Sequence, residues 1–427
     1  MSLRLGLMCP TTTGHLNTIL PLGKALQQRG HQVTLFGLLD AKAKALAAGL
    51  DFQAIAVDEF PRGSQREFMT TLGALKGKQA LTYTISQVCK KAKAFLDEAP
   101  DVIRQRGVEG LVVDQVSQEG GTIADRLGIP FVSLCSAVVL NREITIPPYY
   151  TLWHYDPSVL GQLRNGIGYS LFSRLTQPIT TLLNSYRQQW QLTPHRKPND
   201  RYSLLAQISQ QPAAFEFPRR QLPAHFHFTG PFHQSVGRDI PEFPWEKLTG
   251  QPLIYASLGT IQNQLMPIFQ TIAAACQTLE AQLVISLGGG QQSLGIALAG
   301  NPLVVDYAPQ LDLLPKTALT ITHAGLNTTL ECLAQGVPMV AIPIANDQPG
   351  VAARIAWSGV GEAIALKKLT APRLRSTLEK VLTNPTYKEN ALRLQTALHQ
   401  SGGVEQAVAI VEQAIATRQP VLASRKG

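Results

Sequence analysis

The sequence predicts an α/β fold of two Rossmann-like domains whose parallel sheets face each other across a cleft, and three observations carry that prediction. Short apolar runs of strand length alternate with helix-like stretches from the first residues onward. The same alternation restarts at residue 253, after a proline-rich stretch. The chain has 427 residues, 44% hydrophobic and 16% charged, which is too long for one ordinary core and too apolar for a disordered chain.

The first predicted domain spans residues 1–235 and opens with one strand–helix–strand unit. LRLGLMC reads as a strand, Leu16 to Leu26 repeat at helical spacing, and QRGHQVTLFG supplies a glycine stop and a second strand. Further strands are expected at about 52–57, 110–113 and 130–134. Strands alternating with helices in this way favour a parallel sheet that is covered on both faces.

A proline-rich linker, residues 236–252, is predicted to separate this domain from a second one that spans residues 253–427. In the second domain, PLIYASLG, AQLVISLGGG, PLVVDYAP, ALTITH and VPMVAIPI are all of strand type. An amphipathic stretch from Val404 to Thr417 is expected to form a closing helix. Ligands of open parallel sheets bind beyond the carboxyl ends of the strands, so the cleft between the two sheets is the predicted site.

Composition limits the class of protein. No apolar run reaches the length of a spanning helix, and the amino terminus lacks the features of an export signal. Residues 1–240 hold 25 Lys and Arg against 17 Asp and Glu, and the basic stretch 76–106 is either a solvated helix face or a contact with an anionic membrane. Nucleic acid is a weaker candidate because no binding motif accompanies the charge. Five scattered cysteines fit a reducing cytoplasm: Cys9, Cys89, Cys135, Cys276 and Cys332.

The strongest local signal runs from Val304 to Gln348. The strand ALTITH ends at His323, and a glycine-containing turn then leads into a helix. The free N–H groups and positive dipole end of such a helix start suit a pyrophosphate. Glu331 lies one turn past Asn327 on the same helix face, where its carboxylate suits ribose hydroxyls. A strand–turn–helix without any ligand is the alternative that these residues alone leave open.

The sequence HAGLNTTLE…GVPMVAIPIANDQ, preceded by YAPQ, resembles the donor-binding signature of UDP-dependent glycosyltransferases of the GT-B fold. ASLGT at residues 256–260, the GH turn at His15, VVDQ at Asp114 and LAQISQ resemble carotenoid (zeaxanthin) glucosyltransferases. The resemblance covers most of the chain. One departure is Tyr307, which stands where many relatives carry tryptophan; the smaller ring still allows stacking on uracil.

The resemblance implies an acceptor-binding first domain and a second domain that binds the nucleotide sugar. It implies that His15 is the catalytic base and that Asp114 orients the imidazole. Taken alone, His15 would equally suit a helix-capping turn and Asp114 a strand-end cap. The residues implied to bind the donor are Ser257, Gly259, Thr260, Tyr307, Gln310, His323, Gly325, Asn327, Thr328, Glu331, Asp347 and Gln348.

The expected reaction is an inverting transfer of a hexose, glucose above all, from a UDP-sugar to a lipophilic hydroxyl. No carboxylate is set up as a covalent nucleophile, and the chain lacks the DxD motif of metal-dependent transferases, so neither a metal nor another cofactor is expected. A hydroxylated carotenoid such as zeaxanthin is the first acceptor; a macrolide, sterol or phenolic compound, or a non-catalytic nucleotide-sugar-binding protein, are the alternatives. Residues 141–199, including Tyr149, Tyr150, Trp153 and Tyr155, are expected to line the acceptor side or simply to pack.

Overall fold

The first half of the chain forms one parallel sheet. A computed structural model describes residues 2–75, 77–232, 241–259, 266–288 and 297–423. Within them, seven strands lie in the order β3-β2-β1-β4-β5-β6-β7, with every pairing parallel. The strands are β1 (Arg4–Met8), β2 (Gln32–Gly37), β3 (Asp51–Ala54), β4 (Gly110–Asp114), β5 (Phe131–Cys135), β6 (Gln207–Ser209) and β7 (Phe226–Phe228).

The second half repeats this plan. Its sheet has six strands among the described residues, in the order β10-β9-β8-β11-β12-β13, again all parallel. The strands are β8 (Leu253–Ser257), β9 (Gln282–Ser286), β10 (Leu303–Val305), β11 (Thr317–Thr322), β12 (Met339–Ala341) and β13 (Gly361–Ala363). In each sheet the strands that follow the first strand are added on one side of it, and later strands are added on the other side. The loops after the first strand and its later neighbour therefore lead in opposite directions, and this switch point leaves room for a ligand.

Helices cover both sheets. Those of the first half are α1 (Thr13–Gln28), α2 (Lys42–Ala47), α3 (Ser64–Ala74), α4 (Gly77–Gln105), α5 (Gly120–Leu127), α6 (Val159–Leu175) and α7 (Gln177–Gln189). Those of the second half are α8 (Met266–Cys276), α9 (Gln310–Leu313), α10 (Leu326–Ala334), α11 (Gln348–Trp357), α12 (Ala371–Thr383), α13 (Pro385–His399) and α14 (Gly403–Thr417). No helix within these described ranges is long and apolar enough to cross a bilayer.

Helix α1 shows how the sequence sets the position of a helix on its sheet. Leu16, Ile19, Leu20 and Leu26 are fully buried against the strands. Gly23 makes the close approach possible, because a Cβ built there would lie 2.6 Å from Leu7 and 2.8 Å from Leu50. A side chain at this position would push the helix away from β1, together with the residues at its amino-terminal end.

The predicted fold class is confirmed: both halves are parallel α/β sheets. The sequence analysis did not predict β6 and β13, because their residues, QIS and GEA, do not form an apolar run. The strand expected at about 52–57 is β3, which ends at Ala54. The segment 141–199 contains two helices, α6 and α7, after an irregular stretch.

The last helix packs on the first sheet rather than on the second. Ala407, Val408, Val411 and Ala414 of α14 belong to the same buried cluster as Leu16 and the other core residues of α1. Glu412 also accepts from Arg29, at 2.7 Å, and lies 2.9 Å from the imidazole of His31. By its contacts, α14 therefore returns to the first half, although we predict the second domain to run to residue 427; the limits 1–235 and 253–427 stay predictions.

Candidate active site

The switch point of the first sheet holds a histidine–carboxylate pair. β1 and β4 are neighbours in the sheet, and Asp114 is the last residue of β4. His15 stands in the first turn of α1, beyond the carboxyl end of β1. Its Nδ1 lies 2.7 Å from Oδ2 of Asp114, which is fully buried, and the backbone N–H of Val116 donates to Oδ1 at 2.8 Å. Both oxygens of the carboxylate are thus engaged.

The pair sets the protonation state of the histidine. An ionised carboxylate only accepts hydrogen bonds, so the proton of the neutral imidazole resides on Nδ1, and Nε2 keeps its lone pair. Burial opposes a charge on the ring, but the charge of Asp114 and its hydrogen bond outweigh burial and raise the pKa of His15 above the usual value. The charge of Asp347, from the second half, acts in the same direction. The arrangement is that of a general base with an orienting partner.

The switch point of the second sheet holds a buried imidazole between two glycines. Ser257 ends β8 and pairs with Thr322 of β11, and His323 follows directly. A Cβ at Gly259 would lie 2.7 Å from Nε2 of His323, and one at Gly325 would lie 2.5 Å from it. Burial lowers the pKa of His323 to about 4, partly offset by the backbone of Ser257, so the ring is neutral at physiological pH.

If the turn before α10 binds a sugar donor, as the resemblance implies, Gly325→Ala should raise the KM for that donor, because the new methyl group would displace His323 or the start of α10. Overpacking of this kind typically costs about 1–3 kcal/mol, which corresponds to a loss of about five- to 150-fold in kcat/KM. Gly73→Ala is the matched control, since a Cβ there meets nothing within 4 Å. Steady-state kinetics with varied donor checks both. An unchanged donor KM in a Gly325→Ala enzyme with wild-type melting would show that this surface does not meet the donor.

The start of α10 touches the first half of the chain. The side-chain N–H of Asn327 donates to the carbonyl of Gly14 at 2.8 Å, directly before His15. Its Oδ1 accepts from Nε2 of the buried Gln210 at 2.7 Å, and Gln210 also donates to Thr18. The side chain of Asn327 therefore joins the two halves. Gln210 ends the segment LAQISQ, which is part of the resemblance, but the sequence analysis assigns this residue no role.

A chain of hydrogen bonds lies beside this helix start. The hydroxyl of Tyr255 donates to Gln310 at 3.2 Å, and Gln310 in turn donates to Glu331. Two residues predicted to bind the donor thus contact each other, and the buried Glu331 is held in one orientation. Tyr307 has 41% of its surface exposed, so part of its ring is accessible for stacking.

Asp347 and Gln348 end the loop after β12 at the start of α11. The backbone N–H of Val138, which follows β5 in the first half, donates to Oδ2 of Asp347 at 3.1 Å. Burial raises the pKa of Asp347, and this contact and the positive field of His15 oppose the shift. The side-chain oxygen of Gln348 accepts from the backbone of Ile344 and Ala345, both at 2.8 Å. The loop is thus held by hydrogen bonds from its own backbone and by one from the first half of the chain.

The predicted residues therefore gather from both sheets. Gly14, directly before His15, contacts Asn327 in the first turn of α10, and Asp347 contacts Val138 of the first half. Thr328 is half-buried in α10, whereas Thr260 lies outside the described residues. Tyr149 and Tyr150, predicted to line an acceptor tunnel or to pack, contact each other and Phe172. No group of three or more His, Cys, Asp or Glu side chains in the described ranges is placed to hold a metal ion.

Two parallel α/β halves, each with a switch point beside its first strand, have the architecture of the GT-B fold. The crystal structure of the glycotransferase of kitacinnamycin superimposes with a TM-score of 0.75 at 20% identity, covering 97% of this chain and all of that one. Zeaxanthin glucosyltransferase of Pantoea ananas is 31% identical over 97% of this chain and 96% of its own length. Demethyllactenocin mycarosyltransferase of Streptomyces fradiae is 26% identical over 93% of this chain and 84% of its own.

The family model for UDP-glucoronosyl and UDP-glucosyl transferases matches residues 6–413, and the chain belongs to this family. It is therefore an enzyme, a glycosyltransferase that takes a sugar from a UDP-sugar donor. The predicted family, fold and enzyme class are confirmed.

Proposed function

We propose that the enzyme transfers glucose from UDP-glucose, with inversion, to a hydroxyl of a hydroxylated carotenoid such as zeaxanthin. The observation that carries the reaction type is the His15–Asp114 pair, held 2.7 Å apart at the first switch point, with the residue before His15 hydrogen-bonded to the start of α10. These contacts support a reaction in which a base from one half of the chain acts on a donor bound to the other half.

The chemical step is a single displacement. Nε2 of His15 accepts the proton of the acceptor hydroxyl while its oxygen attacks the anomeric carbon, and the bond from that carbon to the β-phosphate oxygen breaks. UDP leaves with the electron pair, and the imidazolium beside Asp114 later returns its proton to solvent. Because attack and departure occur on opposite faces, an α-linked donor gives a β-linked product.

The donor is proposed to lie along the second sheet. Tyr307 stacks on the base, Gln310 and Glu331 bind the nucleoside, and Asp347 and Gln348 bind the sugar hydroxyls. The leaving pyrophosphate meets neutral donors and the amino-terminal end of α10 instead of a metal held by protein carboxylates. The residues assigned to it are Ser257, Gly259, Thr260, His323, Gly325, Asn327 through its backbone, and Thr328.

A carotenoid acceptor is supported by the 31% identity to the Pantoea ananas enzyme across nearly the whole of both chains. The aromatic group of Tyr149, Tyr150 and Phe172 gives apolar surface next to α11, since the backbone of Tyr149 lies so close to Gly350 that a Cβ there would be 2.3 Å away. A macrolide is the second candidate, favoured by the relative that is named a mycarosyltransferase.

Mass spectrometry of product mixtures tests the proposal. Purified enzyme is incubated with UDP-glucose, UDP-galactose or a dTDP-sugar, each with zeaxanthin in detergent or with a macrolide aglycone, in buffer with and without EDTA. We expect a hexose added to zeaxanthin from UDP-glucose, undiminished by EDTA. Transfer to the macrolide alone would overturn the carotenoid assignment, and loss of transfer in EDTA would overturn the metal-independent step.

A further inference from the structure

Helix α6 turns an apolar face toward solvent. Val159, Leu160, Leu163, Ile167, Leu171 and Leu175 keep between 45% and 81% of their surface exposed. From Leu160 onward they recur every three or four residues, so they form one continuous stripe of about 22 Å along the helix. A contiguous apolar surface of this kind marks an interaction site rather than the scattered exposure that is normal in soluble proteins.

The opposite face of α6 fixes this orientation. Gly161, Asn165 and Gly168 are buried, and the side-chain N–H of Asn165 donates to the carbonyl of Ile144 at 3.0 Å. The hydroxyl of Tyr150 donates to the carbonyl of Gly168 at 2.7 Å. The glycines permit close contact, since a Cβ at Gly168 would lie 3.1 Å from Pro148 and Trp153. The stripe cannot turn inward without breaking these contacts, so its exposure is built into the fold.

Positive charge exceeds negative charge at the stripe: Arg164 and Arg174 lie on α6, and one carboxylate, that of Asp156, lies just before its amino-terminal end. Residues 157–199 contain five Lys and Arg and not one Asp or Glu. Arg174 lies within the exposed stripe, and Arg164 borders it with its guanidinium 5.0 Å from the ring centre of Trp153. The basic stretch in α4, by contrast, is largely engaged within the protein: Lys91 with Glu119, Lys93 with Asp97 and Arg104 with Asp101. Lys76 of that stretch lies outside the described residues.

We propose that the outer face of α6, defined by the six apolar residues above together with Arg164 and Arg174, lies in the interface of an anionic lipid bilayer. Leucines and isoleucine would enter the acyl boundary while the arginines meet lipid phosphates, the arrangement of an interfacial helix. Arg164 and Arg174, with no carboxylate within α6 itself, provide the charge complementarity that an anionic surface requires.

The position of α6 also suits the proposed function, on which this step of the inference rests. The inner face of α6 packs on residues 144–153, and Tyr149 of that segment contacts α11 at Gly350, two residues after Gln348. One segment of chain thus separates the membrane-facing stripe from the loop assigned to the sugar. A lipophilic acceptor dissolved in the bilayer would have a short path to the cleft.

Flotation with vesicles tests the proposal. Wild type, the triple variant Leu163→Gln/Ile167→Gln/Leu171→Gln, and Arg174→Gln are mixed with vesicles of equal parts phosphatidylglycerol and phosphatidylcholine. We expect wild type to float and the triple variant to bind about a hundredfold or more weakly. Arg174→Gln should lose about fivefold on these vesicles and little on pure phosphatidylcholine. If the triple variant does not fold, each of its three substitutions is tested singly in the same flotation experiment.

The control triple variant Leu46→Gln/Leu366→Gln/Leu422→Gln removes leucines that are also exposed but lie outside α6, and should float like wild type. Wild type that stays at the bottom of the gradient, or a triple variant that floats as wild type does, overturns the proposal. A wild-type dimer that the triple variant converts to monomer, without flotation of either, would assign the stripe to a second copy instead. Because flotation needs neither donor nor acceptor, its outcome is independent of which sugar or alcohol the enzyme uses.

Discussion

His15→Ala should lower kcat by about 10²- to 10⁴-fold while leaving the KM for UDP-glucose nearly unchanged. A positioned general base typically contributes a factor of this size, and the imidazole contacts Asp114 of its own sheet rather than the residues assigned to the donor. Single-turnover rates with saturating donor and acceptor measure the effect without interference from product release.

The matched control is His225→Ala. His225 precedes β7, the edge strand of the first sheet, and its Nε2 lies 3.1 Å from the carbonyl of Ser203, remote from the switch point. We expect its kcat to stay within about twofold of wild type, the range usual for substitutions away from a site. If His15→Ala retained wild-type kcat, the proton would have to go elsewhere and the proposed role of the pair would be wrong.

Glu216→Ala should destabilise the enzyme by about 3–5 kcal/mol, the usual cost of leaving a buried charge without its partner. Glu216, from the first half, accepts from Nε and Nη2 of Arg354 of α11 at 3.0 and 2.5 Å. Arg219 lies 3.4 Å from the same oxygen, and all three side chains are almost fully buried. The substitution would leave two buried guanidinium groups facing each other. Urea unfolding measures the loss.

Two variants make this result interpretable. Adding Arg354→Met to Glu216→Ala should recover part of the stability, because an apolar side chain of similar length tolerates the buried site. Asp101→Ala removes an ion pair with Arg104 in which both side chains are more than half exposed, and should cost less than about 1 kcal/mol. Equal losses for Glu216→Ala and Asp101→Ala would show that the buried contact between the halves contributes no more than a surface pair.

Sequence alone could predict the sheets and the strand ends that form the site. Buried strands alternate with helices, and Asp114 and His323 are recognisable because each directly follows or ends an apolar run. The carboxyl ends of two neighbouring parallel strands lie side by side, so the strand order determines which of these residues come together. His15 is assigned by resemblance, and the structure provides its partner at hydrogen-bond distance.

The contacts between the two halves could not be predicted in the same way. Gln210 meets Thr18 across 192 residues of sequence, and Arg354 meets Glu216 across 138. No local period encodes such distant pairs. The exposed apolar face of α6 could not be predicted either. Its leucines point outward while glycines and aromatic residues point inward, so the helix lacks the polar outer face by which an amphipathic helix is recognised in a sequence.

The pH dependence of kcat/KM for wild type and Asp114→Asn tests most directly whether His15 is the base held by Asp114. His15 must be neutral to accept a proton, so the wild-type rate should fall as pH drops through its raised pKa. Without the carboxylate of Asp114, burial and the charge of Lys91 lower the pKa of His15 and the charge of Asp347 opposes them, so the acidic limb should move to lower pH with a lower plateau. Two profiles with the same acidic limb and the same plateau would contradict the pairing.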